Sequence, residues 1–161
     1  MLDRNRTVIR VARDGFAGRT PTVQIPAVID ALLAPLHPIL RAIAETVIPN
    51  AATLDARGWE DVERTISAAL ARRPAAMQRQ FAMFVHAIEW LPLLRFGHRF
   101  SALDLDRRTR VLAALERAPL LLLRRGFWGL RTLLYMGYYT RPEAASAVGY
   151  RADPRGWSAR T

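Results

Sequence analysis

The chain has 161 residues, of which 51% are hydrophobic, enough for one ordinary domain with a buried core. It has no cysteine, which excludes disulfides, thiolate-held iron–sulfur clusters and c-type haem attachment. The formal charge is +10 and all 24 basic residues are arginines. A balance of this sign suits nucleic acid, anionic lipid or an acidic protein partner. The arginines are scattered, with pairs at Arg72–Arg73, Arg107–Arg108 and Arg124–Arg125 but no longer run, and no basic-aromatic module is visible, so no nucleic-acid partner is expected.

The opening segment, MLDRNRTVIRVARDGFAGRT, has neither the apolar core of a secretory signal nor an adjacent arginine pair. A cytoplasmic location is expected on that ground, or a periplasmic one if the chain is exported with a partner. Gly15, Gly18, Pro21, Pro26 and Pro35 interrupt the first 35 residues, and AVIDALLAPL has room for only a short helix. Residues 1–35 are therefore assigned to an N-terminal arm, extended from Met1 to about Pro26 and ordered mainly by a partner. Residues 36–150 form the bundle domain and 151–161 a C-terminal tail.

From Leu36 the pattern turns helical. Leu36, Leu40, Ile43 and Val47 share one face, with Pro38 suited to a first turn and Pro49 as a stop. In WEDVERTISAALARRP, the residues Trp59, Val62, Ile66 and Leu70 form a second stripe, which Pro74 ends. The longest helix is predicted from about Ala75 to Leu94, with Met77, Phe81, Phe84, Ile88 and Leu91 facing inward and Pro92 kinking its end. After RFGHRF, Asp104 is the predicted N-cap of a helix that turns Val111, Leu112 and Leu115 inward. A short last helix, about Pro142 to Val148, is predicted with Thr140 as its cap. No segment alternates strictly, and no run approaches the roughly 18 apolar residues of a spanning helix. The fold class is thus all-α: a single bundle of five to six helices, with no transmembrane segment.

The stretch RRGFWGLRTLLYMGYYT, Arg124 to Thr140, has three faces on a helical wheel. Leu123, Phe127, Leu130, Leu134 and Tyr138 make a core stripe. Gly126, Gly129, Leu133 and Gly137 make a second. Glycine inside a helix costs about 1 kcal/mol relative to alanine, so three on one side predict the close approach of another backbone. The third face holds Arg124, Trp128, Arg131 and Tyr135. Its readings are arginine stacked on rings within the chain, or a docking surface, since tryptophan, tyrosine and arginine are enriched at interface centres, with a membrane-surface role disfavoured because the arginines are not segregated from the rings. With Tyr139 and Trp157 these residues are the candidate partner interface. Trp157, in the tail RADPRGWSART, either folds back on the bundle or anchors the tail to a partner.

Phe96-Gly97, Phe100, the helix start at Leu103-Asp104, the arginine-rich helix and above all the ending GYYTRPE…GY resemble the gluconate 2-dehydrogenase subunit 3 family. LRAIAETVIPN is a weaker match to the early helix of that family. The resemblance spans roughly Leu36 to Tyr150. It implies a non-catalytic small subunit that binds and stabilises a large FAD-dependent dehydrogenase of the glucose-methanol-choline type, acting on sugars or alcohols. FAD is then expected in the partner, and no cofactor in this chain.

His37, His86 and His98 are the only histidines. His86 and Glu89 in HAIE are one helical turn apart, the spacing of helical metal sites, and Glu45, Glu60 or Glu63 would have to complete such a site from facing helices. The alternative function is therefore a stand-alone helical metal-binding enzyme or binding domain using His86 and Glu89. The competing reading is a partly buried histidine with a nearby acid. No P-loop, dinucleotide fingerprint, nucleophile elbow or paired-histidine motif occurs, so no catalytic residue is assigned. His98 and Arg99, in a loop before a helix start, are a further candidate anion site, set against an ordinary polar loop.

Overall fold

The computed structural model describes residues 27–147 and Gly149. The arm from Met1 to Pro26 and the tail with Trp157 lie outside the described residues. The described residues form helices and turns with no strand, the all-α bundle that the apolar spacing requires.

α1 (Ala27–Leu33) passes through a 3-10 turn, Ala34–Leu36, into α2 (His37–Val47). Ile29 and Leu33 are buried in the common core, and α1 packs on what follow as the third and fourth helices. Residues 27–35 therefore belong to the bundle and not to an arm. Pro35 does not break the path, because it occupies the start of the 3-10 turn, where a missing N–H leaves no bond unmade.

α2 is central, with Ile39, Leu40, Ala42, Ile43 and Ala44 buried and Val47 at the core's edge. A second 3-10 turn, Pro49–Thr53, leads to α3 (Ala56–Ala71). Asp55 caps α3, its Oδ1 accepting a hydrogen bond from the Gly58 N–H at 2.8 Å. Trp59, Val62, Ile66 and Leu70 are all buried, as their spacing predicts.

α4 (Ala75–Trp90) departs from expectation in two ways. Its inward residues are Ala82, Val85, Ile88 and Glu89, while Met77 and Leu91 are about half exposed and Phe81 and Phe84 lie at the margin. This helix is apolar on most sides, so periodicity alone did not choose its face. The helix also stops at Trp90 rather than near Leu94, and α5 (Leu93–Phe96) follows Pro92 as a separate turn. Gly97, at φ 68°, ends α5 in the left-handed region that suits glycine.

Phe100, fully buried, anchors a third 3-10 turn, Phe100–Ala102. α6 (Leu105–Glu116) begins at the predicted cap: Asp104 Oδ1 accepts from the Arg107 N–H at 2.8 Å. Val111, Leu112 and Leu115 point inward. α7 (Leu121–Tyr139) packs chiefly along α3 and α6, and α8 (Pro142–Ala147) folds back on its end. Thr140 does not cap α8. Its hydroxyl donates to the carbonyls of Met136 at 2.6 Å and Gly137 at 3.3 Å, closing α7 instead.

Candidate functional site

α7 is held from behind by its core stripe: Phe127, Leu130, Leu134 and Tyr138 are buried, and Leu123 partly so. A Cβ on Gly137 would lie 3.1 Å from the Val62 carbonyl oxygen of α3, and one on Gly58 would lie 3.4 Å from Arg141 Cζ. The two helices therefore run in opposite directions, in close contact at Gly137. The other glycines differ. A Cβ on Gly126 would meet the Phe84 ring at 2.9 Å, which is side chain and not backbone, and one on Gly129 would meet nothing within 4 Å. Among the described residues, close backbone approach is thus realised at Gly137 alone of the three.

This packing also accounts for the ending GYYTRPE. Gly137 admits α3, Tyr138 fills the core, and the mostly buried Arg141 lies over the Tyr138 ring at 5.6 Å beside Gly58. Pro142 opens α8.

The predicted interface face divides into two parts. Arg131 and Tyr135 are tied into the bundle: Arg131 Nε donates to the Tyr135 hydroxyl at 2.9 Å, its NH1 donates to Glu116 at 3.2 Å, and the guanidinium lies 5.2 Å from the Tyr135 ring centre. The Tyr135 hydroxyl in turn donates to the Val47 carbonyl at 3.4 Å, a long bond across to α2. The hydrogen bond with Tyr135 raises the Arg131 pKa above its ordinary value against the opposing effect of burial, and Glu116 adds to the rise. For this pair the intramolecular reading holds.

Trp128 and Arg124 are different. Trp128 is 69% exposed, and with Arg124, Arg125, Gly129 and Glu116 it lines a shallow depression. Leu121, Leu122, Met136 and Tyr139 continue the exposed apolar surface along the same helix. Tyr139 makes edge contacts with Tyr138 and Tyr135, at ring separations of 5.0 and 6.1 Å, and leaves its other side open. The structure thus brings Arg124, Trp128 and Tyr139 to the outer side of one helix. Leu121, Leu122 and Met136 were missed in the sequence, although their spacing from Trp128 placed them on that side.

A second exposed cluster, Trp90, Leu91, Leu93 and Leu94, lies at the α4–α5 junction, where Arg99 covers the Trp90 ring at 4.3 Å. This stacking and the bond between His98 Nδ1 and the Phe96 carbonyl, 2.9 Å, make that loop a self-contained polar turn.

His86 and Glu89 do not form a site. His86 is exposed, whereas Glu89 is buried, its oxygens accepting from the Ser101 hydroxyl at 2.6 Å and the Ser101 N–H at 3.1 Å. Arg108 continues this network, donating to the Ser101 carbonyl at 2.7 Å and pairing with Glu45 at 3.4 Å. Glu63 is engaged by Arg41 at 2.9 Å and stands 3.3 Å from His37. Glu45, Glu63 and Glu89 are thus bound to separate partners and Glu60 is exposed, and among the described residues no group of three or more histidines and acids is placed to hold a metal. No helix among these residues is long and apolar enough to cross a membrane.

No curated protein and no solved structure matches the chain. A family model described as gluconate 2-dehydrogenase subunit 3 matches residues 37–158, a span that runs from the first residue of α2 through the exposed face of α7 and beyond α8. With most of its length matched, and with the GYYTRPE segment built into the junction of α3, α7 and α8, the chain belongs to the gluconate 2-dehydrogenase subunit 3 family.

Proposed function

We propose that this chain is a non-catalytic small subunit that binds and stabilises a large FAD-dependent oxidoreductase subunit acting on sugars or alcohols. The observation that carries the reading is the outer side of α7, where Leu121, Leu122, Trp128, Met136 and Tyr139 are exposed together. A helix with its core stripe already buried has no folding use for a second apolar face, and water-exposed apolar side chains grouped in this way are the usual mark of a protein contact. The family supplies the class of partner: its name is that of a dehydrogenase subunit. The flavin is assigned to the large subunit, in keeping with the class of partner that the family supplies and with the lack of a dinucleotide fingerprint in this sequence.

Co-expression of the chain with the flavoprotein subunit tests the proposal. The two should elute as one species carrying the visible absorbance of flavin, and the large subunit alone should be less soluble or less stable. Turnover or bound flavin in the isolated small chain would reject it.

A further inference from the structure

Among the described residues nothing packs over Gly129. Gly137 admits α3 and Gly126 admits the Phe84 ring, but the space over Gly129 is open and the residue is exposed. A glycine in the middle of a 19-residue helix weakens it and is useful only where bulk must be absent. Here the notch sits at the centre of an apolar side: Leu122, Gly129 and Met136 recur at intervals of seven residues, and Trp128 forms one wall.

We infer that Gly129 is the point at which a segment of the large subunit crosses α7 at close backbone distance, covered by Trp128 and flanked by carboxylates that meet Arg124 and Arg125. The inference rests on the proposed function and locates its contact. Charge selects the occupant. Leu121–Tyr139 contains no aspartate or glutamate, and the one acid lining the depression, Glu116, is bonded to Arg131. A second copy would bring another +10 chain, whose α7 offers no carboxylate to Arg124 or Arg125. A bilayer needs no notch, because fluid lipid has no fixed backbone to admit, and Arg125 interrupts the apolar side between Leu121 and Trp128 where an interfacial helix segregates its cations. An apolar segment with acidic flanks on the large subunit satisfies the notch, the tryptophan and the arginines together.

The test titrates the large flavoprotein subunit with the wild-type chain, Gly129→Ala, Gly129→Leu and the double variant Arg124→Glu, Arg125→Glu. Thermal unfolding of each isolated chain is measured in parallel. Gly129→Leu should weaken binding at least tenfold and Gly129→Ala less, while neither lowers the melting temperature. The double variant should bind more weakly, and added salt should strengthen its binding where it weakens that of the wild type. Unchanged affinity of Gly129→Leu in an otherwise normal complex overturns the inference and leaves the proposed function standing. Failure of the wild-type chain to bind the flavoprotein removes both. Self-association of the wild-type chain abolished by Gly129→Leu, or binding to phosphatidylglycerol vesicles abolished by Trp128→Ala with flavoprotein binding intact, assigns the face to another occupant and also overturns it.

Discussion

Gly137 of α7 lies against Val62 of α3 so closely that an added Cβ would stand 3.0 Å from the Val62 Cγ1 and 3.1 Å from its carbonyl oxygen. A methyl group there cannot be accommodated by rotating a side chain alone, because one of the two obstacles is main chain. Gly137→Ala should therefore cost about 1–3 kcal/mol in overpacking against the roughly 1 kcal/mol that alanine returns in helix propensity, a net loss of up to about 2 kcal/mol. Denaturant unfolding checks this, and a more stable variant would show that α3 and α7 separate easily.

Gly129→Ala is the opposite case. With nothing within 4 Å of the new methyl group, only the propensity term remains, and the isolated chain should gain about 0.5–1 kcal/mol. The pair of variants makes an internal comparison on one helix: the same chemical change should move the unfolding midpoint in opposite directions.

Trp128→Ala should leave the melting temperature of the isolated chain nearly unchanged, since the ring is mostly in water, and should weaken assembly with the large subunit by about 2 kcal/mol, roughly thirtyfold. Tyr135→Phe should do the reverse. It removes the acceptor for Arg131 and the long bond to Val47, costing about 1 kcal/mol in the isolated chain with little effect on affinity. Calorimetry on both variants, free and with partner, distinguishes a docking residue from a bracing one.

Glu89→Ala should destabilise the bundle by about 1–3 kcal/mol, because it leaves the N–H and hydroxyl of Ser101 without their acceptors beside the buried Phe100. Addition of zinc or manganese should not raise the wild-type melting temperature. A metal-dependent rise that disappears in both Glu89→Ala and His86→Ala would restore the metal-binding alternative.

Much of this protein is determined by the sequence on its own. The steps of three and four in α3 and α6 name buried residues correctly, and those in α2 and α7 name most of theirs, with Val47 and Leu123 only partly buried and Ile39 added, because a stripe at that spacing is the face a helix can hide in one piece. Asp104 was legible as a cap for a similar local reason: its carboxylate bonds an N–H three residues on, whatever the rest of the chain does. Tertiary structure alone decided the rest. α4 is apolar around most of its circumference, so its inward face was set by which side lets α2 and α7 approach, and the small Ala82 and Val85 won over Phe81 and Phe84. The three glycines of α7 look alike in sequence, yet one meets a backbone, one meets a ring and one faces open space, because what lies opposite each belongs to a different part of the chain. Arg131 and Trp128 likewise sit on one predicted face, but Glu116 and Val47 come from distant turns to secure the Arg131–Tyr135 pair and leave Trp128 exposed. Local sequence controls which residues share a helix face; only the neighbouring helices control whether that face is filled.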